Sequence, residues 1–209
     1  VLPRLWLHEK GRWKLKLGRI EKWFMNRPHH AEQTIEKAER LLHFVSIEGK
    51  QDFLEVGCGS GAVSNHIARK HSVNVTGTDI DPDQIRLAQQ HSSNLTNIRF
   101  VEADATNLPF EDHDFDIVLS FGVMHHISNW LDALREISRV LRPEGYFIYW
   151  DLVYPKWTVK VARLFEAKYG VTTIKDLDSF IARNNFCTIH SWLSKLLIFN
   201  HYEAVYQKS

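Results

Sequence analysis

Residues 53–61 read Phe53-Leu54-Glu55-Val56-Gly57-Cys58-Gly59-Ser60-Gly61. A short apolar run passes into a glycine-rich turn, and a helix-forming stretch, Ala62 to Lys70, follows. Glycine lacks a Cβ, so such a turn adopts backbone conformations closed to other residues and lets a ligand come close to the main chain. The helix behind it presents unpaired N–H groups and a partial positive charge to whatever lies above the turn. Strand, glycine turn and helix in that order mark where an α/β sheet holds a nucleotide-like ligand.

On either side, hydrophobic periods alternate between strand and helix. Ala31 to Val45 carries Ile35, Ala38, Leu41, Leu42 and Val45 three and four apart, which predicts an amphipathic helix. Asp52–Val56 is the first predicted strand and Val73–Thr78 the second, ending at Asp79. Pro82, capped by Asp81, opens a helix running to about Ser92. Ile98–Glu102 is a third strand, and Phe115–Ser120 a fourth, apolar enough to be buried on both faces. Trp130–Leu141 is a helix that stops at a turn, Arg142-Pro143-Glu144-Gly145, before a fifth strand, Tyr146–Val153. Helices are expected near Val159–Tyr169 and Lys175–Asn184. Thr188–Ile198 and Phe199–Gln207 read as two strands with little between them, which only an antiparallel pair permits. The expectation is an α/β fold: a doubly wound, mostly parallel seven-stranded sheet with a C-terminal antiparallel hairpin.

The chain has 209 residues, which suits one domain with a sizeable core. Its net charge of +1 excludes nucleic-acid binding by bulk charge. Two cysteines do not make a disulfide scaffold and fit a reducing, cytoplasmic compartment. No apolar run reaches the ~20 residues of a membrane helix, and charges interrupt the first thirty residues throughout, so no signal peptide is read there. That segment holds eight basic residues against two acidic ones, interleaved with Trp6, Trp13, Trp23 and Phe24. Residues 1–28 therefore suit a lid over a substrate, packing on the domain, or a peripheral membrane contact. Twelve histidines raise the question of a metal, but no compact Cys/His/carboxylate spacing supports one.

The glycine pattern alone fits two ligands. Gly57-x-Gly59-x-x-Ala62, with Asp79 following at a ribose-binding distance, satisfies a dinucleotide fingerprint and an NAD-dependent oxidoreductase. Glu55-x-Gly57-x-Gly59-x-Gly61 resembles the first motif of class I S-adenosylmethionine-dependent methyltransferases, of the small-molecule, quinone-biosynthesis-like type. Thr78-Asp79-Ile80-Asp81-Pro82 is similar to that family's second-strand end, and Glu102-Ala103-Asp104-Ala105 with Leu108-Pro109-Phe110 to its third segment. Phe115–Ser120 followed by Val123-Met124-His125-His126 resembles the fourth. Arg139-Val140-Leu141-Arg142-Pro143-Glu144-Gly145 resembles the fifth, with Glu144 where the family usually has a second glycine. The resemblance runs over roughly residues 30–155 and implies S-adenosyl-L-methionine as cofactor and S-adenosyl-L-homocysteine as product. It implies that Gly57, Cys58, Gly59 and Gly61 hold the methionine end, with Glu55 near its ammonium. It further implies that Asp79 accepts from the ribose hydroxyls, that Ile80 packs on the adenine and that Asp104 accepts from the adenine amino group. Ala105 and Ser120 belong to the same cofactor-binding set.

A carboxylate suits two ribose hydroxyls, and it would repel a 2′-phosphate. A sulfonium is already a strong methyl donor, so such a protein must hold an acceptor in line, exclude water and, for some acceptors, remove a proton. His125 and His126 are the candidate bases, each with a structural reading beside it. The Asn/Asp-Pro-Pro-Tyr/Phe signature of amino-group methylation is replaced by Ser120-Phe121-Gly122-Val123, so a small, lipophilic acceptor is expected rather than nucleic acid. A non-catalytic S-adenosylmethionine-binding protein is the non-enzymatic alternative.

Overall fold

The computed structural model describes residues 5–7, 13–15, 28–47, 49–154, 172–196 and 199–209. Most of the basic 1–28 segment and the helix expected at Val159–Tyr169 lie outside the described residues. Within that segment β1 (Leu5–Leu7) and β2 (Trp13–Leu15) form a separate antiparallel pair that the sequence did not announce.

The main sheet contains β3 (Asp52–Val56), β4 (Asn74–Asp79), β5 (Ile98–Glu102), β6 (Phe115–Phe121), β7 (Leu141–Val153), β8 (Phe186–Leu196) and β9 (Phe199–Lys208). Their order across the sheet is β5-β4-β3-β6-β7-β9-β8. Strands β5, β4, β3, β6 and β7 pair in parallel, and β9 enters antiparallel between β7 and β8. Among the described residues the α-helices are α1 (Pro28–Leu42), α2 (Ala62–Lys70), α3 (Pro82–His91), α4 (Trp130–Val140) and α5 (Ile174–Arg183). The expected seven-stranded, doubly wound sheet with its terminal hairpin is the fold observed.

Strand alternation sends neighbouring residues to opposite faces, and each face is covered. Leu54, Val56, Val118 and Phe147 pack on one side with Leu134, Ile137 and Phe180 from α4 and α5. Phe53, Ile117, Leu119 and Ile148 pack on the other with Leu41 and Ile67 from α1 and α2. Asp81 caps α3 as expected, its side chain accepting from the Asp83 N–H at 3.1 Å. Helix α1 ends three residues before the predicted Val45. Tighter turns close it, with Phe44 donating to Leu41 and Val45 to Leu42, and Val45 remains buried.

The largest departure is at β7. The expected turn at 142–145 is a bulge inside the strand, because Phe115 and Ile117 of β6 pair with Leu141 and Tyr146. Exposed Glu144 sits in the bulge with φ 62°, a left-handed conformation that costs a residue with a Cβ. Its carbonyl still accepts from the Gln207 side chain, so the main chain is fixed there. Glu144→Gly should therefore stabilise the fold by about 0.5–1 kcal/mol, the relief of left-handed strain less the extra freedom of the unfolded chain. A urea unfolding midpoint moving upward at constant slope is the expected result.

Candidate functional site

The glycine turn leaves β3 at the carboxyl edge of the parallel strands. The N–H groups of Gly57 and Cys58 both donate to the Thr78 carbonyl, at 2.7 and 2.8 Å, tying the turn to the end of β4. Gly57 has φ 76°, and a Cβ there would lie 2.3 Å from Val123 Cγ2. The segment after β6 therefore lies directly against the turn. Gly59 has φ 52°, and a Cβ there would meet nothing within 4 Å, so this part of the turn is open above. Gly61, φ 79°, begins α2.

Two carboxylates flank the open turn. Asp79 Oδ2 accepts from the Gly59 N–H at 3.0 Å and Oδ1 from the Asp81 N–H at 2.9 Å, so the main chain orients both oxygens. Ile80 is half-buried beside it. The Ala103 N–H donates to the Asp79 carbonyl, which brings the end of β5 alongside the end of β4. Asp104 Oδ1 accepts from the Thr106 N–H at 3.0 Å and its hydroxyl at 2.8 Å. The segment from Asp104 to Phe110 is held down by α4. Leu108 N–H donates to Glu136, and Arg139 donates to the carbonyls of Leu108 and Phe110. Ala105 packs against the core on the α4 side.

The other predicted residues are placed differently. Glu55 lies buried beneath the turn, its carboxylate engaged by the Ser64 hydroxyl. Burial pushes its pKa up to about 7, against the opposing hydrogen bonds from Ser64. Cys58 packs with Ile85, Ala88 and Phe100, and burial, with Glu55 and Asp79 adding to it, pushes its thiol up; it is no nucleophile. Ser120 is fully buried on β6, in register with Val56 and Tyr149, and its hydroxyl has no protein partner.

Met124–His126 form one 3₁₀ turn beyond β6. His125 Nδ1 lies 2.5 Å from Asp151 Oδ1. Asp151, on β7, is fully buried and also accepts from the N–H groups of Met124 (2.7 Å, Oδ2) and Leu152 (2.6 Å, Oδ1). The His126 ring packs against His125, tilted by 43° with centroids 3.9 Å apart. Its Nδ1 is buried without a partner, and burial, then the neighbouring His125, pushes its pKa down to about 4. The two adjacent histidines thus stand in different environments: His126 is neutral at neutral pH, and His125 is held by a carboxylate. Asp151 was missed in the sequence. Its signal was there, as the single acid inside the apolar run Tyr146–Val153.

The arrangement fits an adenosyl cofactor with a methionine tail. It offers an open glycine turn, a main-chain-oriented carboxylate beside it, a second acid one strand away and an unpartnered buried hydroxyl between β3 and β7. Among the described residues, no group of three or more His, Cys, Asp or Glu side chains could hold a metal ion.

Strand order and site together define an α/β cofactor-binding domain of the methyltransferase kind. Residues 54–149 match the model of the "Methyltransferase domain" family. The chain is 40% identical to phthiotriol/phenolphthiotriol dimycocerosates methyltransferase 1 of Mycobacterium ulcerans (strain Agy99), over 61% of this chain and 45% of that protein. It is 41% identical to a fatty-acid O-methyltransferase of Mycolicibacterium smegmatis (strain ATCC 700084 / mc(2)155), over 71% of this chain and 60% of that one. The chain thus spans less than two thirds of the length of these curated relatives. Geranyl diphosphate C-methyltransferase from Streptomyces coelicolor A3(2) has the same fold, with a TM-score of 0.70 at 14% identity over 88% of this chain and 87% of the other. Over residues 54–149 this chain thus carries the sequence of a methyltransferase domain.

Two outcomes follow from the geometry. Gly57→Ala should cost roughly 2 kcal/mol or more, from the left-handed φ and the overlap with Val123. Adding Val123→Ala should recover only part of that loss in denaturant unfolding. The depressed pKa of His126 makes the unfolded state the better proton acceptor, so stability should fall as pH drops from about 6.5 to 4. His126→Phe should remove roughly 3 kcal/mol of that fall relative to the parent chain, read as the difference between their unfolding midpoints across this window.

Proposed function

We propose that this chain transfers a methyl group from S-adenosylmethionine to an oxygen of a small, lipophilic acceptor, and that His125 receives the acceptor's proton. The observation that carries this reading is the His125–Asp151 contact at the same sheet edge as the glycine turn and Asp79. The names of the two curated relatives, which describe a fatty acid and a phthiotriol as substrates, support the lipophilic character of the acceptor.

Bound in this site, S-adenosylmethionine supplies a methyl group already activated on a sulfonium. Asp79 accepts from the ribose hydroxyls through oxygens that the Gly59 and Asp81 N–H groups hold in place. Asp104 and Ile80 bind and flank the adenine. Gly59, where a Cβ would meet nothing, leaves the cofactor room, and Gly57, Cys58, Gly61, Ala105 and Ser120 shape the turn and strand end around it. Glu55 braces the turn from below, where the methionine end would lie above it. His126 packs behind His125 and keeps it from swinging away. The basic, aromatic residues 1–28 cover a lipophilic acceptor or touch the membrane surface that stores it. Two free cysteines support a reducing, cytoplasmic setting. No helix among the described residues is long and apolar enough to cross a membrane.

Calorimetry with S-adenosylhomocysteine tests the cofactor half. Asp79→Asn should weaken binding about 10- to 100-fold, because one acceptor of a charge-assisted pair is replaced by a donor. Methyl transfer to a panel of lipophilic hydroxyl compounds tests the rest. His125→Ala should lower turnover about 10²- to 10⁴-fold with cofactor affinity little changed. NADH binding in place of S-adenosylhomocysteine would refute the proposal.

A further inference from the structure

Asp151 accepts three hydrogen bonds in a place closed to water. Met124 N–H reaches Oδ2, while Leu152 N–H and His125 Nδ1 reach Oδ1. Main-chain N–H groups only donate, so the carboxylate is already committed as an acceptor on both oxygens. The imidazole contact must then be a donation, and the ring proton sits on Nδ1. In the neutral ring this leaves the lone pair on Nε2, and His125 is only partly buried, whereas Asp151 is fully so.

The surroundings make this contact directional. His126 packs against the ring at a tilt and is kept neutral by burial. His201 of β9 is lowered by burial first, then by Lys37, with Asp151 opposing and His125 adding to the fall. Lys37 of α1 lies over the Trp150 ring at 4.0 Å, its pKa lowered by burial and by Arg40. Tyr149 of β7, buried and pushed up by burial and then Asp151, stays protonated. Of the groups named here, only Asp151 is an anion, and it bonds the His125 ring directly, so it offsets a positive charge arriving there.

We infer that Asp151 is the positioning residue of the transfer: it fixes His125 as the Nδ1–H tautomer with Nε2 toward the acceptor, and the acceptor is therefore a neutral hydroxyl compound, an alcohol or phenol. This rests on the proposed methyl transfer. The acceptor oxygen gives its proton to His125 Nε2 and forms the new O–CH₃ bond, while the electron pair of the broken S–CH₃ bond stays on sulfur. The imidazolium, paired with Asp151, later returns its proton to solvent. An acceptor that arrives as a carboxylate has no proton to lose and no need of such a pair.

Nitrogen-15 spectra of the histidine rings in the full chain, with S-adenosylhomocysteine added, test this. The parent chain should show His125 with its proton on Nδ1 at neutral pH, and Asp151→Asn should let the Nε2–H tautomer appear beside it. His125 carrying its proton on Nε2 in the parent chain would overturn the inference even if the variant fails to fold. So would an unchanged single Nδ1–H tautomer in a folded Asp151→Asn protein. Calorimetry on the same samples keeps the two readings apart. Cofactor affinity within about twofold of the parent, together with the wrong tautomer, refutes Asp151's role alone, whereas no cofactor binding by the parent chain refutes the methyl-transfer reading itself.

Discussion

The absence of a side chain at Gly57 is the constraint on which the site depends. The turn has to pass between the end of β4, whose Thr78 carbonyl takes two of its N–H groups, and Val123 beyond β6. A Cβ 2.3 Å from Val123 Cγ2 would push those elements apart. With glycine there, the ends of β3, β4 and β6 close on one another. Asp79 then lies under the Gly59 N–H, and the 3₁₀ turn carrying His125 lands within reach of Asp151 on β7.

Four carboxylates near this edge behave differently because their surroundings differ. Asp79 and Asp104 stand at strand ends, oriented by main-chain donors and placed where a ligand can reach them. Glu55 is buried with a hydroxyl partner, and its ionisation is moved toward neutrality by loss of water. Asp151 is buried as deeply, yet three donors converge on it. The histidines divide in the same way. His125 has a carboxylate bonded to it and partial access to solvent, whereas His126, one residue on, has no hydrogen-bond partner for its buried Nδ1.

The fold was largely legible because it is written in short-range patterns. Apolar strands, the glycine turn and the Asp81-Pro82 helix start each announce themselves within a few residues, and the near-absence of a loop between β8 and β9 dictates an antiparallel pair. What was not legible depends on register between distant strands. Pro143-Glu144-Gly145 reads as a turn, and only the pairing of β7 with β6 makes it a bulge. The sequence likewise shows two histidines and an isolated Asp151 but not which pair meets, because that contact spans 26 residues and requires β6 and β7 to lie side by side. The cofactor residues fall between these cases. Asp79 and Asp104 were readable as strand-end acids, but the burial of Glu55 beneath the turn, and of Cys58 against α3, emerged only from packing.

A crystal structure of the chain grown with S-adenosylhomocysteine tests the central claim most directly. The account predicts the ribose on Asp79, the adenine between Ile80 and Asp104, and the sulfur turned toward the edge where His125 stands. Density for the ligand elsewhere, with Asp79 bonded only to Gly59 and Asp81, would contradict it.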